Sequence, residues 1–126
     1  MKKIINTENA PAPIGPYNQA ILSNGTLYIS GQIPINPKSG VLVSGDIKLE
    51  TKQSMENLKA ILTEAEMTFE HVVKSSIFLS DMNQFTEVNE VYATYFNSET
   101  APARETVEVA NLPKFVNVEI SMIAVK

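Results

Sequence analysis

The chain has 126 residues and a mass of 13.9 kDa, a length that predicts one domain over residues 1–126. Hydrophobic residues make up 44% and charged residues 19%, which is typical of a globular protein and excludes a disordered or fibrous one. The absence of cysteine excludes disulfides and thiolate metal sites, and the single histidine, His71, excludes a multi-histidine metal site. A net charge of -4 with scattered lysines argues against tight nucleic-acid binding. No signal-peptide core and no transmembrane stretch is present, so we expect a cytoplasmic protein without a membrane partner.

Short strands and turns are predicted at the start of the chain. The predicted strands cover residues 2–6, 19–23 and 26–30. Between the first two strands, residues 9–17 contain three prolines and a glycine, which exclude a helix and favour an extended, turning loop. The dipeptide Asn24-Gly25 prefers a type I′ turn, so the second and third strands are expected to form a hairpin.

Two amphipathic helices separated by a strand are predicted in the middle of the chain. Residues 31–45 contain several prolines and glycines and are expected to form a loop. A helix is predicted over residues 47–67, with Asp46 as its N-cap, because apolar residues recur along it at helical spacing. Residues 72–79 are apolar and typical of a buried strand. A second helix is predicted over residues 82–97, where we interpret an aromatic stripe on one face as core.

The end of the chain predicts a hairpin of two strands, residues 104–110 and 117–125. Polar residues alternate with valines, so Arg104 and Thr106 share one face of the first strand, and Glu119 lies on the polar face of the second. We expect the apolar faces to carry both helices, which leaves Arg104 and Glu119 on the helix-free face. The element order predicts an α+β fold with a sheet, two helices on one face, and an opposite face suited to oligomer contacts.

Arg104 is the one arginine among ten basic residues. A guanidinium holds a carboxylate or phosphate through two parallel hydrogen bonds, which an ammonium group cannot do. With Glu119 to orient a water molecule, it could bind a small anionic substrate for hydrolysis. The alternative is a structural pair between arginine and glutamate on one sheet face, which is the more common arrangement. No motif for nucleotide binding, metal binding or covalent catalysis is present.

The tail from Ala101 to Ala124 closely resembles the signature of the reactive intermediate deaminase (RidA) family. Three other segments match the same family, namely Ile14-Gly-Pro-Tyr17, Tyr28-Ile-Ser-Gly-Gln-Ile-Pro34, and Phe85 with Val88-Asn89. The resemblance implies a chorismate-mutase-like fold and a homotrimer with its sites between subunits. It also implies hydrolysis of 2-imino acids, such as 2-iminobutanoate and 2-iminopropanoate, to 2-oxo acids and ammonia without metal or cofactor.

The resemblance also assigns roles to individual residues. Arg104 corresponds to the carboxylate-binding arginine, and Glu119 to the glutamate that positions the attacking water. The substrate-binding residues that it implies are Tyr17, Ser30, Gly31, Asn89 and Thr106. Thr106 stands where many members have cysteine, which argues that no thiol is required. Glu105 stands where small residues are common, and strand alternation points it away from the Arg104 face.

The predicted last hairpin also bears on how the site is assembled. If residues 110 and 117 pair across it, Arg104 lies roughly 13 Å beyond the point opposite Glu119, at ~3.3 Å per residue. One small imino acid does not span that gap. We therefore predict that each site takes Arg104 and Glu119 from different subunits.

Two other functions remain open. A non-enzymatic sensor of 2-oxo acids would need Arg104 but not Glu119. An RNA-cleaving translation inhibitor, a label that some members of the superfamily carry, fits poorly because the chain is acidic, has no basic patch, and has an isolated His71. The expected partners are therefore a small-molecule substrate and further copies of the chain, with no nucleic acid.

Overall fold

A mixed sheet of six strands carries two helices, and the computed structural model describes residues 1–126. The strands are β1 Lys2–Ile5, β2 Ala20–Ser23, β3 Thr26–Gln32, β4 Val72–Leu79, β5 Ala103–Glu108 and β6 Val118–Val125. The helices are α1 Ile47–Glu64 and α2 Phe85–Ala93. The strand order is β1-β2-β3-β6-β4-β5, and only β4 and β5 pair in parallel. The predicted α+β class, with a mixed sheet and two helices, is confirmed.

The predicted hairpin of β2 and β3 is confirmed. Asn24 and Gly25 have φ angles of 51° and 80°, the left-handed conformation that a type I′ turn requires at both central positions. The strand after this turn continues to Gln32, two residues further than predicted. It does so through an irregularity in its pairing with β6, where Ser30 and Gly31 oppose a single residue, Ser121.

The predicted hairpin of the last two strands is wrong. β6 lies between β3 and β4, whereas β5 pairs in parallel with β4 at the edge of the sheet. The inner face of β6 is almost completely buried, and such a strand stabilises a sheet most at its centre, while β5 has no buried residue. The connection from β5 to β6 is anchored by Leu112 and Val116, which pack with Ile33 in a small apolar cluster. The estimate based on pairing residues 110 and 117 therefore fails.

Both helices begin near their predicted starts and end earlier than predicted. The Asp46 side chain accepts hydrogen bonds from the first turn of α1, which confirms it as the N-cap. That helix ends at Glu64 because Glu66 adopts a left-handed conformation with φ 59°. The second helical segment starts as a 3-10 turn over Met82–Gln84, and α2 then ends at Ala93.

The main core lies between the helices and one face of the sheet. Fully buried side chains of α1, such as Met55 and Leu58, pack there with Leu27 of β3 and Ile120 of β6. The opposite, helix-free face exposes large apolar side chains, namely Ile4, Tyr28, Val107 and Val125. Neither helix is both long and apolar enough to span a membrane.

Candidate active site

Arg104 lies on β5, on the face of the sheet that carries the helices. Its Nη1 donates a hydrogen bond of 2.7 Å to Oδ1 of Asn89 in α2. The guanidinium carbon lies 4.9 Å from the ring centre of Tyr92 and 5.7 Å from that of Phe85, close enough for cation–π attraction. The hydroxyl of Tyr92 in turn donates to Oγ of Ser75, the residue of β4 that pairs with Arg104. Helix α2 therefore fixes the position of the guanidinium from one side.

No carboxylate forms an ion pair with Arg104. The two ion pairs of the chain join Lys48 to Glu90 and Lys74 to Glu105. An arginine held by one amide and two aromatic rings keeps its charge and most of its five donors for another anion. This contradicts, within one chain, the alternative of a structural pair between Arg104 and Glu119.

Glu119 lies on β6, on the helix-free face, above Gly31 of β3. A methyl group added at Gly31 would lie 2.5 Å from Oε1 of Glu119, so only glycine leaves room for this carboxylate. Tyr17, from the loop between β1 and β2, lines a small cavity together with Gly31 and Ile33. Glu119, Gly31 and Tyr17 thus form a second group of predicted site residues.

The Glu119 carboxylate makes no hydrogen bond or ion pair within the chain. Its side chain is half-buried, and this burial raises the pKa of Glu119 above its ordinary value of 4.5. A carboxylate with a raised pKa and no competing donor is a stronger base than an ordinary glutamate, which favours it as the acceptor of a proton from water.

Ser30 and Thr106, both predicted to bind substrate, differ in how their hydroxyls are used. The Ser30 hydroxyl donates to the backbone carbonyl of Asn18 at 2.7 Å, so it anchors the chain next to Tyr17. The Thr106 hydroxyl is buried, has no hydrogen-bond partner in the chain, and lies on the same face of β5 as Arg104. A buried hydroxyl without a partner costs about 1–3 kcal/mol, which makes Thr106 available to a ligand.

The two groups lie on opposite faces of the sheet, so the expectation that Arg104 and Glu119 share the helix-free face is wrong. Arg104 pairs with Ser75 of β4, whereas Glu119 pairs with Phe78, three residues further along the same strand. Residues an odd number apart on a strand point to opposite faces. Alternation along β5 identifies its two faces but not which one the helices cover, and α2 covers Arg104 while Val107 stays exposed.

Arg104 and Glu119 of one chain are also far apart along the sheet. Two strand spacings and three residues separate them, about 10 Å across and about 10 Å along the strands. A single small substrate cannot contact both groups of one chain. The prediction that they meet across subunits stays a prediction, although its original basis, the last hairpin, is wrong.

Two further residues differ in whether their surroundings match the sequence analysis. Glu105 points away from the Arg104 face, as predicted, and its pKa is lowered by hydrogen bonds from Lys74, at 2.8 Å, and from Ser76. Tyr92, which we had assigned to the core alone, also contacts Arg104. The signal that could have revealed this is a hydroxyl within an otherwise apolar helical stripe.

His71 has a structural role in this chain. Its Nδ1 accepts a hydrogen bond of 3.0 Å from the backbone N–H of Thr68 and completes a capping box there. No three histidine, aspartate or glutamate side chains come close enough together to hold a metal ion.

Comparisons with known proteins agree with the resemblance found in the sequence. The sequence model of a family described as Endoribonuclease L-PSP matches residues 7–126. A RutC family protein of Pyrococcus horikoshii is 56% identical over 126 residues, which cover 100% of this chain and 99% of that protein. The 2-iminobutanoate/2-iminopropanoate deaminase of Mus musculus is 48% identical over 126 residues, covering 100% and 93% of the two chains. The crystal structure of E. coli TdcF with bound serine has a TM-score of 0.92 at 40% identity, with 98% of each chain covered.

Proposed function

The chain belongs to the Endoribonuclease L-PSP family, and on this basis we propose that it hydrolyses reactive 2-imino acids to 2-oxo acids and ammonia. The substrates would include 2-iminobutanoate and 2-iminopropanoate, which appear in the name of the mouse relative. The observation that carries the proposal is the Arg104 guanidinium, held by Asn89 and two aromatic rings with no acid bound to it. The serine bound to TdcF is a small molecule with a carboxylate, which is the group that Arg104 would bind.

The proposed reaction uses the two groups of residues in turn. Arg104 holds the substrate carboxylate through two parallel hydrogen bonds and so fixes the position of the imine carbon. Glu119 accepts a proton from a water molecule while the water oxygen bonds to that carbon. The proton then passes to the nitrogen, which gives a tetrahedral amino alcohol. Glu119 next accepts the remaining proton of the new hydroxyl and transfers it to the nitrogen while the carbonyl forms and the carbon–nitrogen bond breaks, so ammonia leaves and the 2-oxo acid remains.

We further propose that each site combines Arg104 of one copy with Glu119 of another, in a homotrimer. The opposite placement of these residues on the sheet supports this assembly. The helix-free face also supports this assembly, because its exposed apolar side chains are not covered within the chain and are suited to contact another copy. Activity would then depend on assembly.

The test is imine turnover by the wild type and by Arg104→Ala. An amino-acid oxidase would generate the imino acid in place, and semicarbazide would trap whatever survives. We expect wild type to suppress trapping and Arg104→Ala to lower kcat/KM about a hundredfold or more, because an unpaired substrate carboxylate is left in the site. Lys38→Ala, which removes an exposed cation from a distant loop, serves as the control and should behave as wild type.

Two results would contradict the proposal. If wild type does not accelerate imine loss but binds 2-oxobutanoate, the chain is a carboxylate sensor and Glu119 has no catalytic role. If instead it binds RNA in a salt-dependent way and cleaves it, the endoribonuclease activity named in the family description applies.

A further inference from the structure

Gln19 has a buried side-chain amide, 2% exposed, for which the proposed reaction has no role. Its Oε1 accepts a hydrogen bond of 2.7 Å from the backbone N–H of Thr7. Its Nε2 donates to the carbonyl oxygens of Thr7 at 3.0 Å, Ala10 at 3.2 Å and Pro11 at 2.9 Å. All the hydrogen bonds of this side-chain amide are therefore made to the loop between β1 and β2.

Few other hydrogen bonds hold the part of this loop that carries Tyr17. Apart from the bond from Gln19 to Pro11, the hydrogen bonds of Pro11–Tyr17 are internal to the segment. The N–H of Tyr17 donates to the carbonyl of Gly15 at 2.8 Å, and its hydroxyl accepts from the N–H of Ile14 at 3.4 Å. Hydrogen bonds therefore attach the segment to the rest of the chain only near its two ends.

Gln19 takes part in fixing both of these ends, the second together with Asn18, whose carbonyl accepts the hydrogen bond from the Ser30 hydroxyl. The amide holds the first end at Pro11, as described above. At the other end, two residues after Tyr17, the backbone carbonyl of Gln19 accepts a hydrogen bond of 2.9 Å from the N–H of Ser30. Ser30 directly precedes Gly31, above which the Glu119 carboxylate lies. One side chain and its own backbone thus connect the Tyr17 segment to the strand beside Glu119.

We propose that Gln19 is a positioning residue, which holds Tyr17 at the Glu119 side of the site and so sets the affinity for the substrate without contacting it. The inference rests on the proposed function, because Tyr17 is assigned to substrate binding only there. Without the amide, only a fraction of the molecules would hold Tyr17 in place. The apparent affinity would fall in proportion, to the intrinsic affinity multiplied by that fraction.

The test is a double-mutant cycle between Gln19→Met and Tyr17→Ala. Gln19→Met keeps the length of the side chain and removes its hydrogen bonds to the loop. We expect KM to rise about tenfold with a smaller change in kcat, and the double variant to be no worse than Tyr17→Ala alone. If Gln19 affects substrate binding by a route other than Tyr17, the two effects on KM are independent and multiply in the double variant. That result would overturn the inference.

Thr51→Val is the matched control. It removes a buried hydrogen bond of 2.8 Å within α1, from the Thr51 hydroxyl to the carbonyl of Ile47. It should lower stability and leave KM unchanged. Hydrogen exchange of residues 6–17 should become faster in Gln19→Met and not in Thr51→Val, since the Thr7 N–H loses its acceptor. Faster exchange with an unchanged KM would contradict the proposal.

Two further experiments apply if Gln19→Met does not fold or if the wild type has no imine turnover. If Gln19→Met does not fold, Gln19→Asn keeps an amide but shortens the side chain by one methylene group and so draws the amide away from the loop, and the same cycle applies. If the wild type has no imine turnover, the proposed function fails by itself. The same double-mutant cycle is then carried out with the dissociation constant for 2-oxobutanoate in place of KM. Independent effects of the two substitutions on this constant, or no binding by the wild type, would overturn the role of Gln19.

Discussion

Three side chains of α2 surround the Arg104 guanidinium, whereas the Glu119 carboxylate lies above a glycine and has no hydrogen bond to the rest of the chain. The difference agrees with what each group would do in the proposed reaction. An arginine stays charged in any of these surroundings, so an amide and two rings can fix it without loss of function. A carboxylate that must accept a proton works best with few donors around it, because each donor would lower its pKa.

Gly31→Ala tests whether the free space around Glu119 matters. The added methyl group would lie 2.5 Å from Oε1 and must push the carboxylate aside. We expect kcat to fall about a hundredfold, as displacements of about 1 Å do in other sites. Gly40→Ala is the control: nothing lies within 4 Å of the added methyl group, so the substitution strains only the backbone, which has φ 73° there, and kcat should stay at the wild-type value. Full activity in Gly31→Ala would show that the position of Glu119 is not critical.

A mixing experiment tests whether the two groups meet across subunits. Arg104→Ala and Glu119→Gln are each expected to be inactive alone. In randomly mixed assemblies, about a quarter of the sites would combine an intact Arg104 with an intact Glu119, and about a quarter of the wild-type activity would return. The measurement is imine turnover after the variants are unfolded and refolded together. No recovery, with mixed assemblies present, would mean that one chain supplies both residues.

Glu119→Gln also tests how much the burial of the charged Glu119 carboxylate lowers the free energy of unfolding. Burial raises the pKa of Glu119 in the folded state, so the charged form destabilises the fold above that pKa, and this cost disappears as the pH falls below the unfolded value of 4.5. We expect Glu119→Gln to be more stable than wild type by about 1 kcal/mol at pH 7.5 and to lose this gain near pH 4. Urea unfolding at both pH values measures it. Equal free energies of unfolding for wild type and Glu119→Gln at pH 7.5 would indicate that solvent still hydrates the Glu119 carboxylate well enough to prevent the destabilisation.

Local signals in the sequence predicted local structure well. The turn at Asn24-Gly25 and the N-cap at Asp46 depend only on neighbouring residues, and both were predicted correctly. Family membership was also predictable, because the motif from Ala101 to Ala124 is specific. These signals need no knowledge of which strands pair.

Strand pairing was the step that sequence alone did not resolve. The alternation in residues 104–110 and 117–125 predicted two strands and the composition of their faces. It carried no information on their neighbours, because side-chain alternation is the same in parallel and antiparallel pairs. Arg104 was assigned to the wrong side of the sheet for a separate reason, because alternation does not tell which face of β5 the helices cover, and Val107 is found on the helix-free face instead. In contrast, Glu119 was placed on the helix-free face correctly, since the opposite face of β6 is strongly apolar.

The central position of β6 has a consequence for how the chain folds. Strands β1, β2 and β3 form one continuous ladder and β4 with β5 another, and only β6 joins them. During synthesis on the ribosome, β6 emerges last of the six strands. A nascent chain that ends before Val118 therefore holds two separate sheet fragments with their inner edges unpaired. Completion of the sheet must await contacts that are distant in sequence, which slows folding. The strand that carries Glu119 is therefore also the strand that completes the sheet.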